Sequence, residues 1–168
     1  MAVNRIALLL AAAAAVLAAG TARAADAGSP ADYFPVVREE LARLDLRAVC
    51  DDVTATCSFT RLRRDGAEFE VGVRWGVATG TVYLYIERFL VLDDPDGPSP
   101  ALARRLLELN RRLVTGKFEW ERERNTIRLT AVLNCDSNFD RKAFRSVVRG
   151  LWSAAERLWP ELDELSRR

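Results

Sequence analysis

Between residues 53 and 87 the chain alternates apolar and polar side chains through three successive runs, a period suited to half-buried antiparallel strands. Val53, Ala55, Cys57 and Phe59 oppose Thr54, Thr56, Ser58 and Thr60. Ala67, Phe69, Val71, Val73 and Trp75 then alternate with Glu68, Glu70, Gly72 and Arg74, and Val82, Leu84 and Ile86 with Tyr83, Tyr85 and Glu87. Side-chain parity constrains the turns. Phe59 and Val71 share a face only if the loop between them has an odd length, since a one-residue slip sends every side chain to the other face. Arg64-Asp65-Gly66 fits as a three-residue loop with Gly66 in the left-handed conformation. The second hairpin joins odd apolar positions to even ones, so its loop is Ala78-Thr79 or the four residues Val77 to Gly80.

Helices flank these strands. Phe34, Val37, Leu41 and Leu44 lie on one face of a helix that starts near Asp32, with Pro35 in its first turn. Phe89 to Leu92 extend the third strand until Asp93-Asp94-Pro95-Asp96-Gly97-Pro98 ends it. Ser99 caps the next helix and Pro100 opens it. Leu102, Leu106, Leu109 and Leu113 form its buried stripe, Arg105 and Arg112 fall toward the opposite face, and Gly116 closes it. Phe118 and Trp120, then Ile127, Leu129, Ala131 and Leu133, give another hairpin. Ser137 and Asp140 are spaced as a capping box. The last helix carries Phe144, Val147, Val148, Leu151, Ala155 and Leu158, and Pro160 ends or kinks it. The order α-β-β-β-α-β-β-α describes one α+β domain over 32–166, an antiparallel sheet packed by helices.

Residues 1–24 read as a secretory signal peptide. Asn4 and Arg5 precede an uncharged apolar run from Ile6 to Ala19, and Ala22-Arg23-Ala24 sets the cut between Ala24 and Ala25. The run is shorter than the roughly 20 residues a spanning helix needs, so no stable membrane insertion is expected after cleavage. Residues 25–31 form a flexible lead, and the expected location is periplasmic or secreted. An oxidising compartment permits a disulfide among Cys50, Cys57 and Cys135. Cys50–Cys57 is the favoured pair because its short loop keeps the ends close, although Cys57 on the apolar face also suits a buried thiol.

Composition excludes much chemistry. The chain has no histidine, which removes the commonest general base, the Ser-His-Asp and Cys-His nucleophile systems and His-ligated metals. The formal charge is +1, and cleavage takes Arg5 and Arg23 without an acid, leaving −1. Nucleic-acid binding calls for an excess of basic charge and is not expected. The Asp93–Gly97 segment fails as a calcium loop. With Gly97 in the glycine position, Leu92 and Ala103 occupy carboxylate positions. Cys50 and Cys57 match no zinc or redox spacing. Glu68 and Glu70 alternate with core residues and read as a solvated strand face rather than a glycosidase pair. Tyr83 and Tyr85 share that face, with Trp120 on a neighbouring strand, and are the candidate contact surface. No metal, cofactor or catalytic residue is expected.

Leu106-Leu107-Glu108-Leu109-Asn110-Arg111-Arg112-Leu113, followed by Gly116-Lys117-Phe118-Glu119-Trp120 and Ile127-Arg128-Leu129, is similar to the YbjN-like family of bacterial proteins. The resemblance is best over 99–160 and topological over 32–92, where the element order looks like the type III secretion chaperone fold. It implies structural roles for Asn110, Gly116 and Phe118. It also implies no enzymatic activity, with some members influencing stress responses or motility as sensory regulators and chaperones of this fold holding unfolded effector segments.

The expectation is therefore an exported, non-catalytic, chaperone-like binding module that holds a protein or peptide segment, in envelope stress or sensory regulation. Two alternatives stay open: an enzyme using carboxylate, Ser or Tyr groups without histidine, and an envelope structural component. A homodimer is also left open.

Overall fold

In the computed structural model, which describes residues 32–135 and 138–167, side-chain parity sets the hairpins. Strand β2 (Thr56–Leu62) pairs Phe59 with Val71 on β3 (Glu68–Gly76), leaving Arg64-Asp65-Gly66 as the turn with Gly66 at φ 85°. Gly76 pairs with Thr81 at the start of β4 (Thr81–Val91), so the second loop is the four-residue option, 77–80. A short strand precedes these three. β1 (Val49–Asp51) sits at the sheet edge and pairs with β2 through Cys50 and Cys57. β5 (Lys117–Glu121) and β6 (Thr126–Asn134) complete an antiparallel sheet of six described strands, ordered β1-β2-β3-β4-β6-β5.

Helices α1 (Phe34–Arg43), α2 (Pro100–Arg112) and α3 (Arg141–Ser166) cover the face carrying Val71, Val73, Leu84, Ile86 and Leu129. Phe69 stacks on Phe89 at 5.5 Å between ring centres, and Phe89 meets Phe118 at 5.3 Å. This aromatic run crosses four strands and anchors the core. Between the Ile86–Leu129 and Leu90–Ile127 pairs β4 holds three residues where β6 holds one. That irregularity turns both Phe89 and Leu90 inward, against strict alternation.

Several expectations need correction. The alternation at Val53 and Ala55 belongs to a turn, and Val53 is 95% exposed. Asp51 builds that turn, its carboxylate accepting from the Val53 N–H at 2.8 Å and the Thr54 hydroxyl at 2.9 Å. Ala67 is exposed in the next turn rather than inward. The first helix starts at Phe34, with the Asp32 carboxylate accepting its N–H. Ser99 caps α2 as expected, accepting from the Leu102 N–H, but Leu113 is only half-buried just beyond the helix. Arg105 does not face away. Its guanidinium reaches Glu161 on α3 through two nitrogens, at 2.6 and 3.1 Å. Asp140 caps α3 by accepting from the Lys142 and Ala143 N–H groups, whereas Ser137 lies outside the described residues. α3 runs on through Pro160 to Ser166 and buries Leu162.

Cys50 and Cys57 face each other across β1 and β2 with Cα atoms 4.0 Å apart and are joined by a disulfide. Cys135 stays buried outside the bridge. In the chain-entropy view the small closed loop contributes about 2–3 kcal/mol. The Cys50→Ser variant should melt correspondingly lower in oxidising buffer and match the wild type after reduction, measured by chemical denaturation with and without reductant.

Candidate functional site

The face of the sheet opposite the helices carries the even positions of β2 and β3, the odd positions of β4 and β5 and the even positions of β6. Its centre is aromatic. Tyr83 and Tyr85 stand 5.4 Å apart between ring centres, both half-buried. Tyr85 lies flat across the sheet because its cross-strand partner is glycine; a Cβ on Gly72 would come within 2.1 Å of the Tyr85 ring. Val132, 58% exposed, pairs with Tyr83 from the other side.

Charged side chains frame the aromatic pair. The Tyr83 hydroxyl donates to Glu119 at 3.0 Å, and the same oxygen accepts from Arg128 at 3.0 Å. The Thr130 hydroxyl donates to the other Glu119 oxygen at 3.1 Å. Arg74 stands over the Tyr83 ring at 5.7 Å. Glu87 pairs with Arg124, and Arg128 spans Glu87 and Glu121 at 3.9 and 3.8 Å. The two tyrosines with Arg74, Glu87, Glu121, Arg124 and Arg128 line an open cleft of about 770 Å³. Burial, with Glu119 beside it, pushes the Tyr83 phenol above its usual range; burial and then Glu87 do the same for Tyr85. Both phenols are therefore protonated near neutral pH, suited to contact and hydrogen bonding rather than to proton abstraction.

Trp120 does not join this surface. It shares parity with buried Phe118 and its ring covers Gly97, where a Cβ would approach to 2.4 Å. Glu68 is exposed toward the edge and Glu70 lines the cleft; neither makes an ion pair among the described residues. The Arg128, Glu119 and Glu121 network was missed, although polar residues at alternate positions of the last hairpin carried a signal for it.

Asn110, Gly116 and Phe118 act together on the other face. The Asn110 amide donates to the Phe118 carbonyl at 2.9 Å and its oxygen accepts the Phe118 N–H at 2.7 Å, so the side chain pairs with β5 as a neighbouring strand would. Gly116, at φ 92°, turns the chain from α2 into that strand. A second polar cluster was not anticipated. Glu40 is completely buried, and its carboxylate accepts from Arg141 at 2.7 Å and from Arg145. Ala24 and Ala25 lie outside the described residues. Among the described residues no group of three His, Cys, Asp or Glu side chains is arranged to hold a metal ion, and no helix is long and apolar enough to cross a membrane.

The profile of the YbjN family, described as "Putative bacterial sensory transduction regulator", matches residues 35–164. No curated protein matches the chain significantly. Among solved structures, a chain of the ExsC–ExsE complex is similar over 77% of this chain and 92% of its own, at 16% identity and a TM-score of 0.56. A chain of the HopA1–SchA chaperone–effector complex is similar over 77% and 94%, at 15% identity and a TM-score of 0.53. YbjN from E. coli is similar over 74% and 89%, at 14% identity and a TM-score of 0.52. These likenesses show a shared α+β fold.

Proposed function

The chain belongs to the YbjN family, and from that premise we propose that it is an exported, non-catalytic module holding a segment of another protein on the uncovered face of its sheet. The observation that carries the reading is this face itself. The described helices pack on the other side, leaving Tyr83, Tyr85 and Val132 exposed or half-exposed inside a frame of paired Arg and Glu side chains. An aromatic centre with a charged rim is the composition of a protein-contact surface. The chaperone–effector description of one similar structure supports a protein segment as the ligand. Carboxylates held in arginine pairs weigh against an enzyme working on this face. The regulatory setting we assign is envelope stress or sensory regulation.

Tyr85→Ala is the direct test. Crosslinking in intact cells, read by mass spectrometry, should recover the partner with wild type and at least tenfold less with Tyr85→Ala, while the melting temperature stays within a few degrees. Unchanged recovery would refute this face as the site.

Export rests on the character of residues 1–24, and the Cys50–Cys57 bridge supports an oxidising compartment. Mass analysis of the native protein should find an N-terminus at Ala25, within about two residues. An intact Met1 would place the protein elsewhere.

A further inference from the structure

On the helix-covered side, between the C-terminal turn of α1 and the middle of α3, lies a pocket of about 330 Å³ that the sheet-face reading does not use. Phe59, Val71 and Ile86 reach it from the sheet, Val148 and Trp152 from α3, and Leu46 from the segment after α1. Its lining also includes Arg43, Arg61 and Arg149 against the single carboxylate of Asp45. Arg43 is engaged by Glu39 and Glu40. Arg61 stands over the Trp152 ring at 5.1 Å, and neither it nor Arg149 has an acidic partner among the described residues.

We propose that this pocket binds a small amphipathic monocarboxylate, a free medium-chain aliphatic acid or an arylalkanoic acid, with its apolar body inside and its carboxylate at Arg61 and Arg149. Two features select that chemistry. The apolar walls offer water few hydrogen bonds, so an apolar body gains by displacing it. The guanidinium fork matches a carboxylate in geometry, and two such groups without acidic partners lie beside the apolar walls. Size narrows the choice further. A volume of 330 Å³ is at the lower end for small-ligand sites, roughly 300–1,000 Å³, and suits one short chain rather than a two-chain lipid.

The test is titration calorimetry of the mature protein with decanoate and with decanol. Decanoate should bind with one-site stoichiometry, and decanol at least tenfold more weakly. Arg149→Glu, on an exposed position of α3, should weaken decanoate at least tenfold without moving the melting temperature. Val148→Trp should abolish binding by filling the pocket. Tyr85→Ala should leave decanoate binding unchanged, which separates this site from the sheet face. No heat with decanoate, equal affinity for decanol, or binding that survives both pocket variants would overturn the proposal. Sedimentation with phosphatidylglycerol vesicles that Arg149→Glu abolishes and decanoate does not compete would overturn it in favour of a lipid surface. Binding of a Leu-centred, glutamate-flanked peptide that Val148→Trp abolishes, Tyr85→Ala leaves intact and decanoate fails to displace would overturn it in favour of a protein segment in the pocket.

Discussion

Leu109→Asp is expected to abolish the cooperative thermal transition of the domain, and Leu109→Ala to lower its stability by about 2–5 kcal/mol. Leu109 is 5% exposed and lies on the α2 stripe with Leu102 and Leu106, between the Ser99 cap and the turn at Gly116. The truncation removes transfer energy and leaves a cavity beneath α2. The aspartate goes further, because an unpaired carboxylate in the core costs several kcal/mol against a total stability of roughly 5–15 kcal/mol. Leu107, two residues earlier and 71% exposed, is the internal control. Leu107→Asp should change stability by about 0.5 kcal/mol or less. If the stripe were instead a recognition surface, Leu109→Asp would melt like the wild type and lose only association. Arg105→Ala belongs between these extremes. Its two-nitrogen contact with Glu161 ties α2 to α3, and with one quarter of its side chain exposed the pair contributes up to about 1 kcal/mol. Circular-dichroism melts of the four variants against wild type read the whole order.

Period-two alternation was informative wherever strands ran long enough to express it. β3 and most of β4 present their side chains as the alternation requires, and parity alone gave the odd turn at 64–66 and an even second loop, of which the pairing of Gly76 with Thr81 picks the four-residue option 77–80. It failed at three places for physical reasons. β1 has only Val49, Cys50 and Asp51, too few residues to show a period, and its pairing depends on contacts with β2. Val53 and Ala55 continued the pattern by composition, but Asp51 offers the backbone a side-chain acceptor that closes a turn there. The irregularity before Leu90 breaks parity because β4 and β6 differ in residue count, a property of the pair that neither strand carries alone. The candidate surface was half legible. Tyr83 and Tyr85 followed from alternation, whereas the aromatic platform needs Gly72 beneath Tyr85, a cross-strand fact. Trp120 sits on a neighbouring strand, and its parity with Phe118, already present in the sequence, puts it on the other face.

Glu40 was hidden for a different reason. A glutamate three residues after Val37 and beside Leu41 reads as the edge of an amphipathic stripe, and only the approach of α3 buries it. Burial alone would raise its pKa, but the hydrogen bonds from Arg141 and Arg145 outweigh that penalty and hold the carboxyl below its ordinary value of 4.5. The sign of the pH dependence follows. Well above 4.5 the carboxylate is charged in folded and unfolded chains alike, and the cluster contributes fully. As pH falls below 4.5 the unfolded chain takes up the proton first, so stability declines until the folded carboxyl is protonated as well. Glu40→Gln should therefore be less stable than wild type at pH 7, by roughly 1–3 kcal/mol. The gap should narrow as pH drops toward 3, because wild type loses the contribution that the variant never had. The arginines are partly exposed and can rehydrate when Glu40 is neutralised; Glu40 cannot when they are removed. Arg141→Ala combined with Arg145→Ala should consequently lower the melting temperature at pH 7 more than Glu40→Gln does, and adding Glu40→Gln to that pair should restore part of the loss. Melting curves of the four proteins from pH 7 to pH 3 test both statements. A Glu40→Gln gap that stays constant across that range, or a triple variant no more stable than the double, would mean that Glu40 is not the charged anchor between α1 and α3.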